Sequence, residues 1–478
     1  MPHDFLSYLA SVQRFGIRPG LERIRELLLR AQVLDAEGQT SFPVVLIGGT
    51  NGKGSTAQFL AQMLAGSSHR VGLYTSPHLH SWNERIRIVS PSNSGEPSGG
   101  LIEDAELEAL FQSTLPLLDE VAQSEHGQPT EFEVLTLLGL LHFARQNVDA
   151  AVVEVGLGGK WDATNVLYPL VSVVTHVALD HCDRLGSTLE AIAADKIHIA
   201  RPERVLVTAE QKPQVLEVFR EHCTRIGARL CAWQAKTALQ CEERAKCAKE
   251  QARVLPPEMP EFQKLNWQTA RVAHLAFAHA ASWPKSLSPT RLRRSNQSAP
   301  RGRVSSIVSI VAAAWRADAE AFLAATATPQ VAGRLELVRR EPTVILDGAN
   351  NPDGAQVLAR ELKRLKEQNP GAKLHLIFGA SSDKDALGML QVLAPLADRL
   401  TLSQASHSRA AAVGELASMA RECEASVDEA ADVNRALERA LAEARAQDIV
   451  CVCGSFFLLG DVDRARLALH SRQGVARR

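Results

Sequence analysis

Lys53 stands in a stretch, Leu46-Ile47-Gly48-Gly49-Thr50-Asn51-Gly52-Lys53-Gly54-Ser55-Thr56, whose residue types are those of an anion cradle. Glycines let backbone N–H groups crowd around a phosphate, a lysine adds positive charge, and a hydroxyl from Ser55 or Thr56 can hold Mg²⁺. The flanks agree with this: the apolar run Val44 to Ile47 precedes the loop as a strand would, and Phe59, Leu60, Met63 and Leu64 follow at helical spacing. Gly54 separates Lys53 from the hydroxyl pair, so the loop departs from the common G-x-x-x-x-G-K-[ST] form. Thr50, Asn51, Gly52, Lys53, Gly54, Ser55 and Thr56 are therefore the candidate nucleotide contacts.

Other chemically useful side chains sit at the ends of strand-like runs. Glu154 comes at the end of the run Ala150 to Val155 and precedes the flexible Gly156-Leu157-Gly158-Gly159. Open α/β sheets bind ligands at the carboxyl ends of their strands, and Mg²⁺ prefers carboxylate and phosphate oxygens, which suits Glu154. Ser76 presents a hydroxyl where the run Val71 to Thr75 stops at Pro77. Asp180-His181 follows the run Val171 to Thr175, which sets it on the same sheet edge as the phosphate loop and Glu154. Further on, Arg334 carries a guanidinium fork that matches phosphate oxygens, and Asp347 ends a strand where ribose hydroxyls would fall.

The elements that position these residues follow from the apolar spacing. The first ninety residues read helix, helix, strand, loop, helix, strand, and residues 91–100 read as a loop on their Ser, Gly and Pro content. Ile102 to Ala122, Glu133 to Ala144 and Leu189 to Ile199 have helical spacing. From about Val331 a second unit begins, with strands Thr343 to Leu346, Leu374 to Phe378 and Ile449 to Val452, and a helix Ala355 to Lys366 that turns Val357, Leu358 and Leu362 inward. Strands alternating with helices predict an α/β fold in two domains. Residues 1–327 form a P-loop-containing parallel-sheet ATPase domain, and residues 328–478 a smaller Rossmann-like α/β domain. Residues 281–305 are rich in Ser, Pro and Arg and hold no acid; a short, interrupted run of this kind reads as a solvated surface insertion before it reads as a nucleic-acid arm.

Composition bounds the partners. The 478 residues are 45% hydrophobic and 22% charged, which permits a packed core and excludes global disorder. A net charge of −1 gives no general attraction to nucleic acid or to a membrane surface, and neither is expected as a partner. No apolar run reaches the length of a membrane span, and the start carries no long apolar signal segment. Eight cysteines, scattered and without paired C-x-x-C spacing, read as reduced, buried thiols of a cytoplasmic protein. A monomer is expected.

The run Glu154-Val155-Gly156-Leu157-Gly158-Gly159-Lys160-Trp161-Asp162-Ala163-Thr164-Asn165 closely resembles a segment of the folylpolyglutamate synthase/dihydrofolate synthase family, in the Mur ligase superfamily. Lys160 stands where that family has arginine. Other segments resemble the family in the same order across residues 40–460: the phosphate loop, Ser76-Pro77-His78, Thr130-Glu131-Phe132-Glu133, Leu179-Asp180-His181, Phe262-Gln263-Lys264-Leu265-Asn266, and Asp347-Gly348-Ala349-Asn350-Asn351-Pro352. Ser408-Arg409-Ala410 resembles a Pro-Arg-Ala segment. Two departures stand out: Asp195-Lys196-Ile197-His198-Ile199 where the family reads Glu-Lys-Ala-Gly-Ile, and Asn350 in place of a histidine.

The resemblance implies an ATP-dependent amide ligase. A folate-type carboxylate, dihydropteroate or tetrahydrofolate, attacks the γ-phosphate of ATP to give an acyl phosphate, and the amine of L-glutamate then displaces phosphate. It further implies two Mg²⁺ ions, with Ser76, Glu154 and His181 joining Ser55 as ligands, and Lys196 as the family's lysine carbamylated by CO₂. Lys53 and Arg334 would stabilise phosphoryl charge, and Asn266 and Asp347 would lie near the nucleotide. The C-terminal domain would close on the nucleotide and carry the amino-acid site. The departures keep two other expectations open: a Mur-type ligase acting on a non-folate carboxylate, and a weakened nucleotide-binding homologue.

Overall fold

A computed structural model describes residues 4–13, 18–67, 69–90, 98–232, 259–281, 331–465 and 467. In chain order its main elements are α1 (Phe5–Gln13), α2 (Glu22–Arg30), β1 (Val44–Gly48), α3 (Lys53–Gly66), β2 (Val71–Tyr74), β3 (Ile86–Ser90), β4 (Ser98–Leu101), α4 (Asp104–Ala122), α5 (Glu131–Arg145), β5 (Ala150–Glu154), β6 (Val171–Val174), α6 (Cys182–Leu185), α7 (Leu189–Lys196), β7 (Val205–Thr208), α8 (Pro213–Ile226), β8 (Arg229–Ala232) and α9 (Glu261–Ala281). There follow β9 (Glu336–Arg340), β10 (Thr343–Asp347), α10 (Pro352–Gln368), β11 (Leu374–Phe378), α11 (Ala386–Leu393), β12 (Arg399–Ser403), α12 (Val413–Glu422), β13 (Val427–Ala430), α13 (Val433–Glu443), β14 (Ile449–Cys453) and α14 (Phe456–Gly460). The expected domain border at 327/328 and, apart from Ala281, the basic insertion 281–305 lie outside the described residues.

The chain divides into two compact units. The first takes the described residues of Met1–Ser76, Asn83–Val177 and Ser187–Pro329; the second takes those of Gln330–Arg478 together with Pro77–Trp82 and Ala178–Gly186.

In the first unit, eight described strands form one sheet in the order β4-β3-β2-β5-β1-β6-β7-β8. The strands β2, β5, β1, β6 and β7 are buried along their whole length, as strands covered on both faces must be, and their β-branched content suits that environment. These central strands pair in parallel, which brings the ends of β1, β5 and β6 to one edge.

The sheet is mixed rather than wholly parallel: β3 pairs antiparallel with β2, and β4 antiparallel with β3. Residues 98–100 are thus strand, not loop, because Ser98 and Leu101 find ladder partners in Ser90 and Arg87. Gly99 and Gly100 weaken a strand in isolation, but an edge position next to an existing ladder overrides local preference.

The helix α5 opens with a capping box: the Glu133 backbone N–H donates to Thr130 Oγ1 at 3.3 Å, and Thr130 N donates to Glu133 Oε2 at 2.8 Å. The same Oε2 accepts from Arg23 Nε of α2 at 2.9 Å, an ion pair buried at both ends. Arg23 also donates to the carbonyl of His126 at 3.1 Å.

The second unit carries a sheet in the order β13-β12-β11-β14-β10-β9, parallel except for β9. Alternate residues of its strands serve opposite faces, as a period of two requires. Ile345, Leu376, Cys451 and Cys453 pack beneath α10, α11 and α12 with Leu358, Leu362, Met389 and Leu416. Val344, Leu346, Val450 and Val452 pack with Val433 and Leu437 of α13 and with Leu458 and Leu459 of α14. Val357 is only half-buried, while Leu358 and Leu362 point inward as their spacing requires.

The six described cysteines are free thiols, and Cys182 is exposed, against the expectation of uniform burial. No helix among the described residues is long and apolar enough to cross a membrane.

Glu133→Ala removes both the cap and the partner of buried Arg23. A loss of about 3–5 kcal/mol is expected in urea denaturation, because the guanidinium is left buried and unpaired. Replacing Arg23 by Leu in the same chain should recover part of it; an additive further loss would show that the pair is not coupled.

Candidate active site

The phosphate loop is built where β1 gives way to α3. Gly49 at φ +136° and Gly52 at φ +88° adopt backbone conformations that residues with a Cβ avoid. Space imposes the same choice. A Cβ on Gly49 would overlap the Thr175 hydroxyl, and one on Gly52 would overlap the Asn266 side-chain oxygen. Thr175, just past β6, holds the loop from below: its Oγ1 lies 3.1 Å from the Gly48 carbonyl and 2.8 Å from that of Asn51. The next residue continues the clamp, with Thr50 N donating to His176 O at 2.7 Å. Lys53 Nζ donates to Thr50 O at 3.1 Å, so the ammonium stays beside the loop. Ser55 and Thr56 lie buried in the first turn of α3, and Thr56 Oγ1 has no hydrogen-bond partner.

Glu154, 1% exposed at the end of β5, faces this turn. A Cβ on Gly54 would lie 3.4 Å from its Oε2. The same oxygen accepts from Ser76 N at 2.9 Å, which brings Ser76 beside Glu154.

The loop after β5 is held by its own polar residues. Asp162 accepts from Leu157 N at 2.9 Å, Thr164 N at 3.0 Å and Thr164 Oγ1 at 2.5 Å. Burial pushes its carboxyl above the usual range, while these hydrogen bonds pull the other way. Asn165 donates to Lys160 O at 3.1 Å and accepts from Arg201 at 2.8 Å. Gly159 allows the loop to lie on α7, since a Cβ there would sit 2.7 Å from Lys196 O and 2.8 Å from Asp195 O.

Lys196, 3% exposed at the end of α7, donates from Nζ to Gly49 O at 3.2 Å. The buried Oδ2 of its neighbour Asp195 has no hydrogen-bond partner. Ile197, which stands where the family has alanine, is buried in the core, as is Ile199. Asn266 lies on α9, which packs against α3, β6 and β7.

The remaining expected residues belong to the second unit. His181 has a left-handed backbone at φ +51°, and its Nε2 lies 2.9 Å from Lys384 Nζ. That ammonium also donates to Asp180 Oδ1 at 2.6 Å, and Asn351 Nδ2 donates to Asp180 Oδ2 at 3.2 Å. Burial alone would raise the Asp180 carboxyl; the Lys384 ammonium and the His181 ring hold it below the usual range. Arg334 stacks its guanidinium 4.4 Å from the Phe456 ring centroid. Asp347 accepts from Leu335 N at 2.8 Å and Ala349 N at 2.9 Å, and burial raises its carboxyl against the pull of Arg334.

The structure therefore gathers Lys53, Ser55, Thr56, Ser76, Glu154, Lys196 and Asn266 within the first unit. His181 belongs to the second unit, in the segment Ala178–Gly186, where Lys384 pairs with its neighbour Asp180. Among the described residues no three His, Cys, Asp or Glu side chains form a metal cage. The donors that are present fit Mg²⁺, which accepts few protein oxygens and completes its shell with phosphate and water. The partnerless Thr56 hydroxyl and the loop glycines likewise fit a bound phosphate chain. Thr175, His176, Glu210 and Lys212 carry no motif; the available signal is only that they fall just beyond strands.

Comparison with known proteins identifies relatives of the whole chain. Residues 47–228 match the Mur ligase middle domain, and residues 333–456 match the Mur ligase glutamate ligase domain. The dihydrofolate synthase/folylpolyglutamate synthase of Haemophilus influenzae is 30% identical over 468 residues, which is 96% of either chain. The structure of E. coli FolC in complex with DHPP and ADP superposes with a TM-score of 0.72 at 26% identity, covering 98% of this chain and 97% of that one. The bifunctional folylpolyglutamate synthase/dihydrofolate synthase of Yersinia pestis, complexed with AMPPNP and Mn ion, gives 0.71 at 28% identity and 97% coverage of both.

Thr175→Val keeps the side-chain shape and deletes the clamp. A hydrogen bond worth about 1 kcal/mol should appear as about fivefold weaker ADP binding in calorimetry; unchanged affinity would mean the hydroxyl does not shape the loop.

Proposed function

The chain belongs to the dihydrofolate synthase/folylpolyglutamate synthase family of Mur ligases, and from that premise we propose that it joins L-glutamate to the carboxylate of a folate-type acid at the expense of ATP. The observation that carries the reading is the phosphate loop Gly49–Thr56 facing the buried Glu154.

The first step forms a bond between the acid's carboxylate oxygen and the γ-phosphorus and breaks the bond to ADP. In the second, the glutamate amine attacks the acyl carbon, phosphate leaves, and the amine gives up its proton. The chain's task is to orient the reactants and neutralise charge. Backbone N–H groups at the start of α3 receive the phosphates, and Lys53, half-buried at the first position of that helix, adds its ammonium. Ser55, Ser76 and Glu154 supply oxygens for a divalent ion, with His181 as a further ligand by resemblance. Bound Mg²⁺ would spread the charge that develops on the transferring phosphoryl group. Two ions, and Lys196 in carbamylated form, complete the reading. Lys196, buried with its Nζ at the Gly49 carbonyl of the phosphate loop, supports it, since a carbamate there would place an anion near metal and phosphate. Arg334 is assigned to phosphoryl charge and Asn266 to the nucleotide.

The deciding experiment is ADP release dependent on both glutamate and acid, with dihydropteroate and tetrahydrofolate set against unrelated carboxylic acids. Turnover with unrelated acids alone would replace folate by another carboxylate; ADP binding without turnover on any acid would leave a nucleotide-binding homologue.

Lys53→Ala should abolish turnover without unfolding the chain, and Glu154→Gln should lower the rate by about 10–100-fold and raise the Mg²⁺ requirement. Wild-type kinetics in both would remove the assignment. Lys196→Ala should be inactive and partly rescued by short carboxylic acids, whereas full activity without rescue would rule out a metal-supporting carbamate.

A further inference from the structure

The carboxyl ends of β6 and β7 carry three side chains that the ligase chemistry above does not use. Lys212 Nζ donates to Val177 O at 2.8 Å, lies 3.2 Å from His176 Nε2 and sits 3.6 Å from Glu210 Oε1. Glu210 is buried, and it accepts from Val177 N at 2.8 Å, Gln211 N at 2.8 Å and Lys212 N at 3.0 Å. It thereby fixes the backbone on which Lys212 is mounted. His176 is tied to the phosphate loop through its main chain, by the Thr50 hydrogen bond and a bridge to Asn51. Yet the side chains of His176 and Lys212 remain 34% and 31% exposed.

Sheet order gives this cluster a direction. The phosphate loop leaves β1 with β5 and β2 on one side, which bring Glu154 and Ser76, and with β6 and β7 on the other. Resting on the nucleotide reading of that loop, the γ end of a triphosphate belongs beside the oxygen donors on the β5–β2 side. The phosphates then run across the start of α3, and the nucleoside must leave over β6 and β7. Asn266, packed against Gly52 from α9, stands on the same flank.

We propose that His176 and Lys212 form a nucleoside-contacting pair, the imidazole lying against the base and the ammonium donating to base or ribose acceptors. The chemistry is economical in atoms. An ammonium has only hydrogens to give, so the His176 nitrogen it meets is an acceptor. Purine ring nitrogens and ribose oxygens are acceptors too, so Lys212 can redirect one hydrogen bond to a ligand with no change of charge. Glu210 acts as a positioning residue.

The test separates nucleoside from phosphate. Wild type, His176→Asn, His176→Ala and Lys212→Met are titrated with ADP and with inorganic tripolyphosphate, each with Mg²⁺, by calorimetry, and assayed for the KM of ATP. The expected result is an ADP dissociation constant raised about tenfold, which corresponds to about 1.4 kcal/mol, with tripolyphosphate affinity held within about twofold on the same scale. KM for ATP should rise by more than kcat falls. His176→Asn and Lys212→Met stand in if His176→Ala does not fold, as judged by its unliganded melting temperature. ADP and tripolyphosphate weakening together would overturn the proposal, because the pair would then only brace the phosphate loop; so would unchanged ADP affinity in all variants. Wild-type protein that binds no ADP would instead remove the ligase reading on which this rests.

Discussion

The contact between Thr175 and the phosphate loop is the constraint on which the rest of the first unit turns. One hydroxyl reaches the carbonyls of Gly48 and Asn51, and it does so only because position 49 has no side chain. That close approach sets the path of residues 49–52, the path sets where α3 starts, and the start of α3 decides where backbone N–H groups, Lys53 and two buried hydroxyls point. The parallel pairing of β1 with both β5 and β6 carries the constraint sideways, to Glu154 on one flank and His176 on the other.

Close packing without side chains recurs wherever the site needs precision. Gly159 lets the loop after β5 rest on the last carbonyls of α7, and a Cβ on Gly156 would lie 2.6 Å from the Phe132 ring. In the second unit, Gly454 lies against the Gly379 carbonyl and Gly379 against that of Ser403, which brings the ends of β14, β11 and β12 together in the same manner. A missing Cβ cannot move, whereas a long side chain can, so these positions define geometry more strictly than the charged residues they support.

Charge plays a different part in each unit. Arg23 and Glu133 are buried partners that also cap α5, and removing one strands the other in a medium that cannot solvate it. Asp180 and Lys384 bind the segment Ala178–Gly186 into the second unit and engage His181 in doing so. A motif residue can thus hold a place in the architecture.

The sequence by itself determined the alternation of strands and helices, with the strands β1, β2, β5, β6, β10, β11 and β14, the phosphate loop, the Glu154 segment and the family. These are local signals: periodicity, glycine spacing and short ordered runs survive in one dimension because each is made by neighbours in the chain. The edge strand at Ser98–Leu101 was not legible, since its glycines say loop and only the ladder with β3 says strand. Nor was the structural role of Glu133 and Asp162, whose partners are decided by packing or by backbone amides rather than by residue type. The tertiary structure alone decided that Thr175 clamps the loop, that Ala178–Gly186 belongs with the second unit, and that His176, Glu210 and Lys212 converge. Those residues lie on separate connections, and only parallel strands with helical crossovers bring such connections to one edge.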